Sequence, residues 1–355
     1  MMQQFFSKIL IFLIPLFLAI GIKEMLFERS GGDLSRIGVI SVSADYRDIF
    51  KEAFNKKKAY TNFSENIVEE DTTKARVLII GDSFSRQKNY GYRNFLAVNP
   101  DISVVYYDFL KEGDNPISIL NHLSNGDFFE HNNFDYVVLG SVERSVVQRA
   151  QIDLTSDTLN VDDINQLMAK NVRTIQRKHE VTEEIKDFYT NLILYFQNEL
   201  LYRLDDNAFQ SKVYQLELKN SKFTHKRNIL IYANDMLNAL SNSSPKSIMH
   251  LNQQLNTISQ KLSTKGVDLI FLPAADKFDF YYDEILGNEK YAKPTFFESM
   301  NSLNKNFRYL DSKGILSPLL EKGVKDIYFY DDTHWSPIAA EEIAKELERM
   351  ILKKD

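Results

Sequence analysis

Two short motifs contain the residue types that nucleophilic catalysis uses. The first is Gly-Asp-Ser-Phe at positions 81–84, and the second is Asp-Asp-Thr-His-Trp at positions 331–335. A nucleophilic serine needs a base within hydrogen-bond reach, and that base needs a carboxylate that fixes its tautomer. Ser83 is a candidate nucleophile, and His334 is the one of the six histidines that lies among carboxylates at a predicted strand-to-helix junction. Each motif by itself is also consistent with an ordinary turn.

The segments around both motifs predict a parallel sheet. Short runs rich in β-branched residues occupy positions 75–80, 102–107, 136–139 and 267–272, and such runs are typical of buried parallel strands. A Ser-Pro pair at 244–245 opens an amphipathic pattern that ends at Gly266, and a second such pattern covers positions 337–352, so both are predicted helices. This alternation indicates an α/β protein with a doubly wound parallel sheet. Both motifs then fall at the carboxyl edge of the sheet, where ligands bind.

The chain is predicted to have three parts. Positions 5–22 are apolar apart from Lys8, a run that is short for a spanning helix but long for a cleaved signal peptide. Because no small-residue cleavage site follows, we favour a membrane anchor within residues 1–29. Residues 30–74 are predicted to be a connector with little core of its own. Residues 75–355 form the predicted catalytic domain, with a polar, helix-rich insertion at about 155–240.

The composition argues against several classes of protein. The chain has 355 residues, a net charge of -6 and no cysteine. These values argue against nucleic-acid binding, a disulfide framework and a thiol nucleophile. The sequence has neither the His-Glu-x-x-His pattern of zinc proteases nor a Gly-x-x-x-x-Gly-Lys phosphate loop. It therefore predicts neither a metal centre nor a cofactor.

Together the two motifs resemble those of the SGNH (GDSL-type) hydrolase superfamily, whose first block corresponds to positions 81–84 and whose last block holds an Asp and a His. The pairing of this first block with Asp-Thr-His-Trp at 332–335 is similar to the alginate O-acetyltransferase AlgJ/AlgX branch and the related DHHW proteins. The resemblance extends over about residues 75–350. Two features depart from it. In the alginate enzymes the Asp-x-His precedes the serine, and here positions 140–142 place Val where the superfamily has an oxyanion-binding Asn.

The resemblance implies a catalytic triad. Ser83 is the nucleophile, His334 the general base and Asp332 the acid that orients the base. Asp331 is the rival orienting acid, because the wider superfamily spaces its Asp and His as D-x-x-H. The D-x-H-W spacing of the acetyltransferase branch favours Asp332.

Further candidates lie near the same edge of the predicted sheet. Besides the backbone N–H of Ser83, the candidates for binding an oxyanion or substrate are Gly113, Arg144 and Trp335. Arg144 is equally consistent with a surface ion pair with Glu143. Lys277 follows the fourth predicted strand, and we expect no catalytic role for it.

The function implied by the resemblance is O-acetylation of a polysaccharide through an acetyl-serine. The protein would be a single-pass membrane protein with its catalytic domain on the periplasmic side, and a multi-pass membrane acyltransferase would deliver the acetyl group. Two alternatives stay open. One is a carbohydrate esterase or deacetylase with the same triad, and the other is an inactive glycan-binding scaffold of an acetylation complex.

Overall fold

The architecture is given by a computed structural model. It describes residues 29–65, 73–111, 114–166, 188–224 and 226–353, together with positions 8–9, 11, 13–15, 17–18 and 21–22. Within these residues the strands β1 to β8 are Thr61–Asn62, Ala75–Gly81, Ile102–Tyr106, Tyr136–Val142, Val213–Glu217, Asn228–Tyr232, Asp268–Ala274 and Arg308–Tyr309. The α-helices are Asp33–Ile37, Lys51–Phe54, Tyr92–Ala97, Pro116–Asn125, Phe128–His131, Glu143–Arg149, Phe188–Leu201, Ala233–Leu237, Ala239–Asn242, Pro245–Ser263, Lys277–Tyr281, Phe296–Asn301, Ser312–Glu321 and Pro337–Leu352. Short 3-10 helices occupy Ala44–Phe50, Phe63–Glu65, Tyr282–Glu284 and Asn288–Lys290.

The central sheet confirms the predicted α/β class. In the described part of the chain it has the strand order β1-β3-β2-β4-β7-β8, and every neighbouring pair is parallel. The four predicted strands are β2, β3, β4 and β7. They are buried over most of their length, because helices cover the faces of a parallel sheet. The edge strands β1 and β8 have two residues each, which is too short for a hydrophobic pattern.

The two long predicted helices are present and pack against this sheet. The helix Pro245–Ser263 buries Ile248, Leu251, Leu255, Ile258 and Leu262 along one face. The helix Pro337–Leu352 has Ser336 as its N-cap, whose side chain accepts a hydrogen bond from the Ile338 N–H. This cap fixes where the last helix begins, directly after the 331–335 motif.

The predicted insertion at 155–240 contains strands as well as a helix. Strands β5 and β6 pair antiparallel in a separate two-stranded sheet, and the helix Phe188–Leu201 precedes them. The alternation of burial along β5 is irregular, which explains why the sequence gives a weak strand signal there. Positions 167–187 of the predicted insertion lie outside the described residues.

The segment predicted to be a connector packs against the main domain. Leu34, Val42, Phe50 and Tyr60 are buried in the main core, and β1 joins the edge of the sheet. Most of the predicted anchor lies outside the described residues. Among the described residues no helix has the length and apolar character needed to cross a membrane, and the anchor therefore stays a prediction.

Candidate active site

Ser83 lies in the turn that follows β2, at the carboxyl edge of the parallel sheet. Its side chain is half-buried. The neighbouring Asp82 fixes the turn, since its carboxylate accepts hydrogen bonds from the Phe84 N–H at 3.2 Å and the Val142 N–H at 2.8 Å. Arg149 adds an ion pair to the same carboxylate at 2.5 Å. Asp82 therefore ties the turn carrying Ser83 to the end of β4.

The glycine before this turn is required by close packing. A Cβ at Gly81 would lie 2.1 Å from the Ser85 hydroxyl oxygen, and a Cβ at Gly140 would lie 2.4 Å from the same atom. Neither glycine is among those with positive φ. The Ser85 hydroxyl is buried between the two strands and hydrogen-bonds the Tyr92 hydroxyl at 2.8 Å. Gly81 is thus present because the turn packs back on the strand ends.

His334 is oriented by Asp332. The His334 Nδ1 lies 2.6 Å from the Asp332 Oδ1, and the same oxygen accepts the backbone N–H of His334 at 3.1 Å. Asp331 is fully buried and instead receives two hydrogen bonds from Arg47, at 2.8 and 3.1 Å. Of the two acids that the sequence left as rivals, Asp332 is the one in contact with the histidine.

The fold brings the two motifs together. The Phe84 ring lies 4.6 Å from the His334 ring and 5.0 Å from the Trp335 ring, measured between centroids. The Gln87 side chain donates to the Trp335 carbonyl at 2.8 Å. The buried Nε2 of His334 has no hydrogen-bond partner in the described part of the chain, so the Ser83 hydroxyl does not bond it in this conformation. Catalytic hydrogen bonds are often long before substrate binds.

Opposing charges set the protonation of the pair. Burial lowers the pKa of the His334 imidazole, but its hydrogen bond to Asp332 and the charges of Asp332 and Asp33 outweigh burial, and the pKa is raised above 6.5. Burial would raise the pKa of Asp332, yet His334 and Arg47 hold it well below its ordinary value. Asp332 is therefore the carboxylate that stabilises a protonated His334.

Sequence reasoning missed two residues of the site, both in the segment predicted to be a connector. Asp33 accepts hydrogen bonds from the N–H and the hydroxyl of Thr333, at 2.7 and 2.6 Å, and its Oδ2 lies 4.0 Å from the His334 Nδ1. Arg47 bridges Asp331 and Asp332. Single charged residues in a polar segment give no local signal that could have identified them.

Arg144 does not form the surface pair with Glu143 that the sequence allowed. Glu143 is buried and accepts the Asp276 N–H at 2.9 Å. The Arg144 Nη1 is instead held by Asp235 and Asp276, both at 3.0 Å. Its guanidinium lies close enough to His334 that its charge lowers the pKa of the imidazole, against the opposite effect of Asp332 and Asp33. Arg144 is thus a fixed positive charge at the carboxyl end of β4.

Lys277 has a structural role beneath the loop that carries Asp332 and His334. It is fully buried, and its ammonium donates to the carbonyls of Phe329, Tyr330 and Asp332 at 2.7, 2.8 and 3.2 Å. Burial lowers its pKa to about 7, against the opposing effect of nearby carboxylates. These contacts are all to the main chain, so Lys277 holds the backbone that carries Asp332 and His334.

Two sequence candidates, Trp335 and Gly113, remain. Trp335 is fully buried against Phe84 and Tyr92, and its ring has no surface exposed to solvent. Its contact with an oxyanion or substrate stays a prediction. Gly113 lies outside the described residues.

Three side chains at this site could offer ligand atoms to a metal ion. Asp33, Asp332 and His334 place one such atom each within 4.8 Å of one another. The His334 Nδ1 is already engaged by Asp332, however, and two carboxylates flanking that nitrogen favour a protonated or hydrogen-bonded ring. The arrangement suits proton transfer better than metal binding.

Two polar cavities adjoin each other, and the smaller one reaches the segment just before Asp331. Their volumes are about 430 Å³ and about 760 Å³, and they share a wall made by residues from the Phe188–Leu201 helix end and the β5-β6 sheet. The smaller one also reaches Tyr330, which precedes Asp331. The shared lining residues are Tyr202, Arg203, Gln215, Lys226 and Asn228.

Residues 232–355 match the family described as SGNH hydrolase-like domain, acetyltransferase AlgX. The predicted family resemblance is confirmed for this part of the chain. The AlgX-like segment, residues 232–355, contains β7, Lys277, Asp332 and His334, whereas Ser83 and the turn around it lie outside it. No curated protein and no solved structure matches the chain.

Proposed function

We propose that this protein is an SGNH-type O-acyltransferase that moves an acetyl group to a polysaccharide hydroxyl by way of an ester on Ser83. The observation that carries the proposal is the hydrogen bond between Asp332 and the His334 Nδ1, beside the ring of Phe84 in the Ser83 turn. This bond leaves Nε2 directed away from Asp332 to accept a proton. The AlgX-like segment supports the acyl-transfer chemistry.

The proposed reaction has two steps. In the first, the Ser83 oxygen attacks the acetyl carbonyl while the His334 Nε2 takes the hydroxyl proton, and the donor's leaving group departs with that proton. In the second, the His334 Nε2 takes the proton of a sugar hydroxyl, whose oxygen attacks the acetyl-serine and releases Ser83 with its proton restored. Asp332 stabilises the imidazolium formed in each step, because its carboxylate contacts the other ring nitrogen.

The developing oxyanion needs donors that are already in place. The backbone N–H of Ser83 is the first, and we assign Arg144 as the positive charge that faces it. The buried carboxylates of Asp235 and Asp276 hold the Nη1 of Arg144. The Arg144 side chain is still 14% exposed to solvent. A fixed cation of this kind needs no reorganisation during the reaction.

Arg144→Lys is therefore expected to lower kcat by about 10²-fold, the range typical for loss of one oxyanion donor. Lysine keeps a charge opposite Asp235 and Asp276, so the fold is expected to survive, as circular dichroism would check. The shorter point charge does not reproduce the guanidinium fork. A folded Arg144→Lys variant with unchanged kcat would remove Arg144 from the reaction.

The acceptor that we propose is a cell-envelope polysaccharide. The smaller polar cavity, which reaches Tyr330, provides a hydrogen-bonding surface next to the loop that carries Asp332 and His334, which suits a hydroxyl-rich chain. We also propose that the N-terminal run anchors the protein in the membrane, with this domain on the periplasmic side. A multi-pass acyltransferase would then supply the acetyl group.

One experiment tests the chemistry and separates transfer from hydrolysis. The purified protein is given p-nitrophenyl acetate with and without acetyl-accepting oligosaccharides, and acetyl-Ser83 is sought by mass spectrometry after an acid quench. Acetyl-Ser83 whose loss is accelerated by oligosaccharide supports the transferase. Loss at the same rate without oligosaccharide indicates an esterase. Absence of both acetyl-Ser83 and labelling by a serine-reactive phosphonate contradicts the nucleophile and favours a glycan-binding scaffold.

The rate is expected to depend on pH through His334. The imidazole acts as a base only when it is neutral, and its pKa is raised by Asp332 and Asp33 despite burial. Activity should therefore fall as the pH drops, and the midpoint of the acidic limb of kcat/KM should lie above the ordinary histidine value of 6.5. A pH profile of p-nitrophenyl acetate turnover measures this. A midpoint below that value would contradict the proposed charge arrangement.

A further inference from the structure

A segment near the N-terminus contacts the loop of residues 329–334, which carries Asp332 and His334. This segment, residues 32–47, is called the clamp segment below. The carboxylate of Asp33 accepts hydrogen bonds from the backbone N–H and the hydroxyl of Thr333. Thr333 lies between Asp332 and His334 in the chain. Asp33 therefore holds Thr333, the residue that links Asp332 to His334.

Arg47 holds the loop from a second direction. Its guanidinium makes a bidentate contact to Asp331, with nitrogen–oxygen distances of 2.8 and 3.1 Å, and also reaches Asp332 at 3.3 Å. The same guanidinium lies over the Phe329 ring, 4.5 Å from its centroid. A planar fork that engages two adjacent carboxylates sets their orientation as well as their charge.

The backbone of the clamp segment also packs closely against the backbone of residues 330–331. The Ser35 N–H donates to the Asp331 carbonyl at 3.1 Å, and the Tyr330 N–H donates to the Tyr46 hydroxyl at 2.8 Å. A Cβ on Gly32 would lie 2.2 Å from the Asp331 carbonyl oxygen, whereas one on the adjacent Gly31 would meet no atom within 4 Å. Replacing Gly32 with alanine would therefore push the clamp segment away from Asp331 while leaving Asp33, Arg47 and the side chains of the loop unchanged in type.

The clamp segment also contributes to the electrostatics of His334. Three charged groups act on the imidazole: Asp332 from its own loop, Asp33 from the clamp segment and Arg144 from the end of β4. Both carboxylates favour the protonated ring, whereas Arg144 and burial oppose it. Removal of Asp33 would therefore leave a histidine that is less basic than in the intact protein.

From these contacts, and on the basis of the function proposed above, we infer that the clamp segment is part of the active site and that Asp33 and Arg47 are positioning residues for the Asp332–His334 pair. The catalytic loop has its working geometry only while the clamp segment is docked. This segment follows the predicted anchor along the chain.

The test uses the full chain and pairs each variant with a matched control. Gly32→Ala displaces the clamp segment and is compared with Gly31→Ala. Asp33→Asn removes one charge from the contact and is compared with Asp48→Asn, which changes an exposed carboxylate in the Ala44–Phe50 3-10 helix. Three readouts are followed: amide hydrogen exchange of Thr333, the pKa of His334 by NMR, and the rate at which a phosphonate labels Ser83.

Gly32→Ala and Asp33→Asn are expected to speed exchange at Thr333 and to slow labelling of Ser83. A shift of about 1 Å in catalytic geometry can cost on the order of 10²-fold in rate, and labelling should fall by up to that factor. Asp33→Asn should also lower the pKa of His334. Both controls should match the wild type, and thermal unfolding shows whether each variant is folded.

Two results would overturn the inference. One is unchanged Thr333 exchange and unchanged His334 pKa in both test variants, since the clamp segment would then not hold the loop. The other is faster Thr333 exchange with labelling equal to that of the controls, since docking would then not matter to the site. If the wild type is not labelled at all while Thr333 and His334 respond as expected, the clamp segment is upheld and the proposed chemistry fails.

Discussion

Replacing Ser83 with alanine is expected to lower acetyl transfer to oligosaccharide by a factor on the order of 10⁴ or more, the size of effect seen when a triad nucleophile is removed. The ester on Ser83 cannot form without its hydroxyl, and Ser83 is the one hydroxyl-bearing residue of positions 81–84. The fold should be unaffected, because Ser83 is half-buried in a turn that Asp82 holds. Substitution of a partly exposed side chain usually alters the free energy of unfolding by less than about 0.5 kcal/mol.

Ser85 provides the matched control for this substitution. It is a serine two positions along the same turn, but its hydroxyl is buried against Tyr92. Ser85→Ala should lower the free energy of unfolding by about 1 kcal/mol through the lost hydrogen bond and should keep the acetyl-Ser83 intermediate. A Ser83→Ala protein that still transfers acetyl at a tenth of the wild-type rate or faster would exclude the acyl-serine route.

The second large effect is expected from Asp332→Asn, with a loss in kcat on the order of 10⁴-fold. The asparagine side chain can present an N–H to the His334 Nδ1, which favours the tautomer with its proton on Nε2, the atom that must accept the serine proton. The neutral amide also fails to stabilise the imidazolium. Kinetics of p-nitrophenyl acetate turnover for the wild type and the variant measure the loss.

Asp331→Asn is the control, because it changes the adjacent carboxylate. Asp331 contacts Arg47 and not the histidine, so its substitution should weaken the clamp segment and cost stability, about 1–3 kcal/mol for a buried group that loses its charged partner. Its loss in kcat should stay well below that of Asp332→Asn. An Asp331→Asn variant as impaired as Asp332→Asn, while equally folded, would contradict the assignment of the orienting acid.

The sequence by itself determined the four long strands of the sheet and the two motifs that contain Ser83 and His334. Strands β2, β3, β4 and β7 are buried on both faces, so they leave uninterrupted apolar runs that indicate parallel strands without any tertiary information. The serine follows such a run directly, and the histidine precedes a helix whose capping is local. Parallel topology places Ser83 at the carboxyl edge of the sheet because it follows β2. The residues directly before His334 belong to no strand of the central sheet, so tertiary contacts decide that His334 lies against Phe84.

Only the tertiary structure decided which charged groups meet. Asp331 and Asp332 are adjacent in the chain. Arg47, 284 residues away from Asp331 in sequence, makes its bidentate contact with Asp331, whereas the Oδ1 of Asp332 contacts His334. Asp33 is 300 residues from its partner Thr333. Neither residue belongs to a hydrophobic period or a recognisable motif, because one polar contact imposes no repeating pattern on the sequence around it. The burial of Trp335 and the pairing of Arg144 with Asp235 and Asp276 also depend on contacts between distant segments, so only the folded chain shows them.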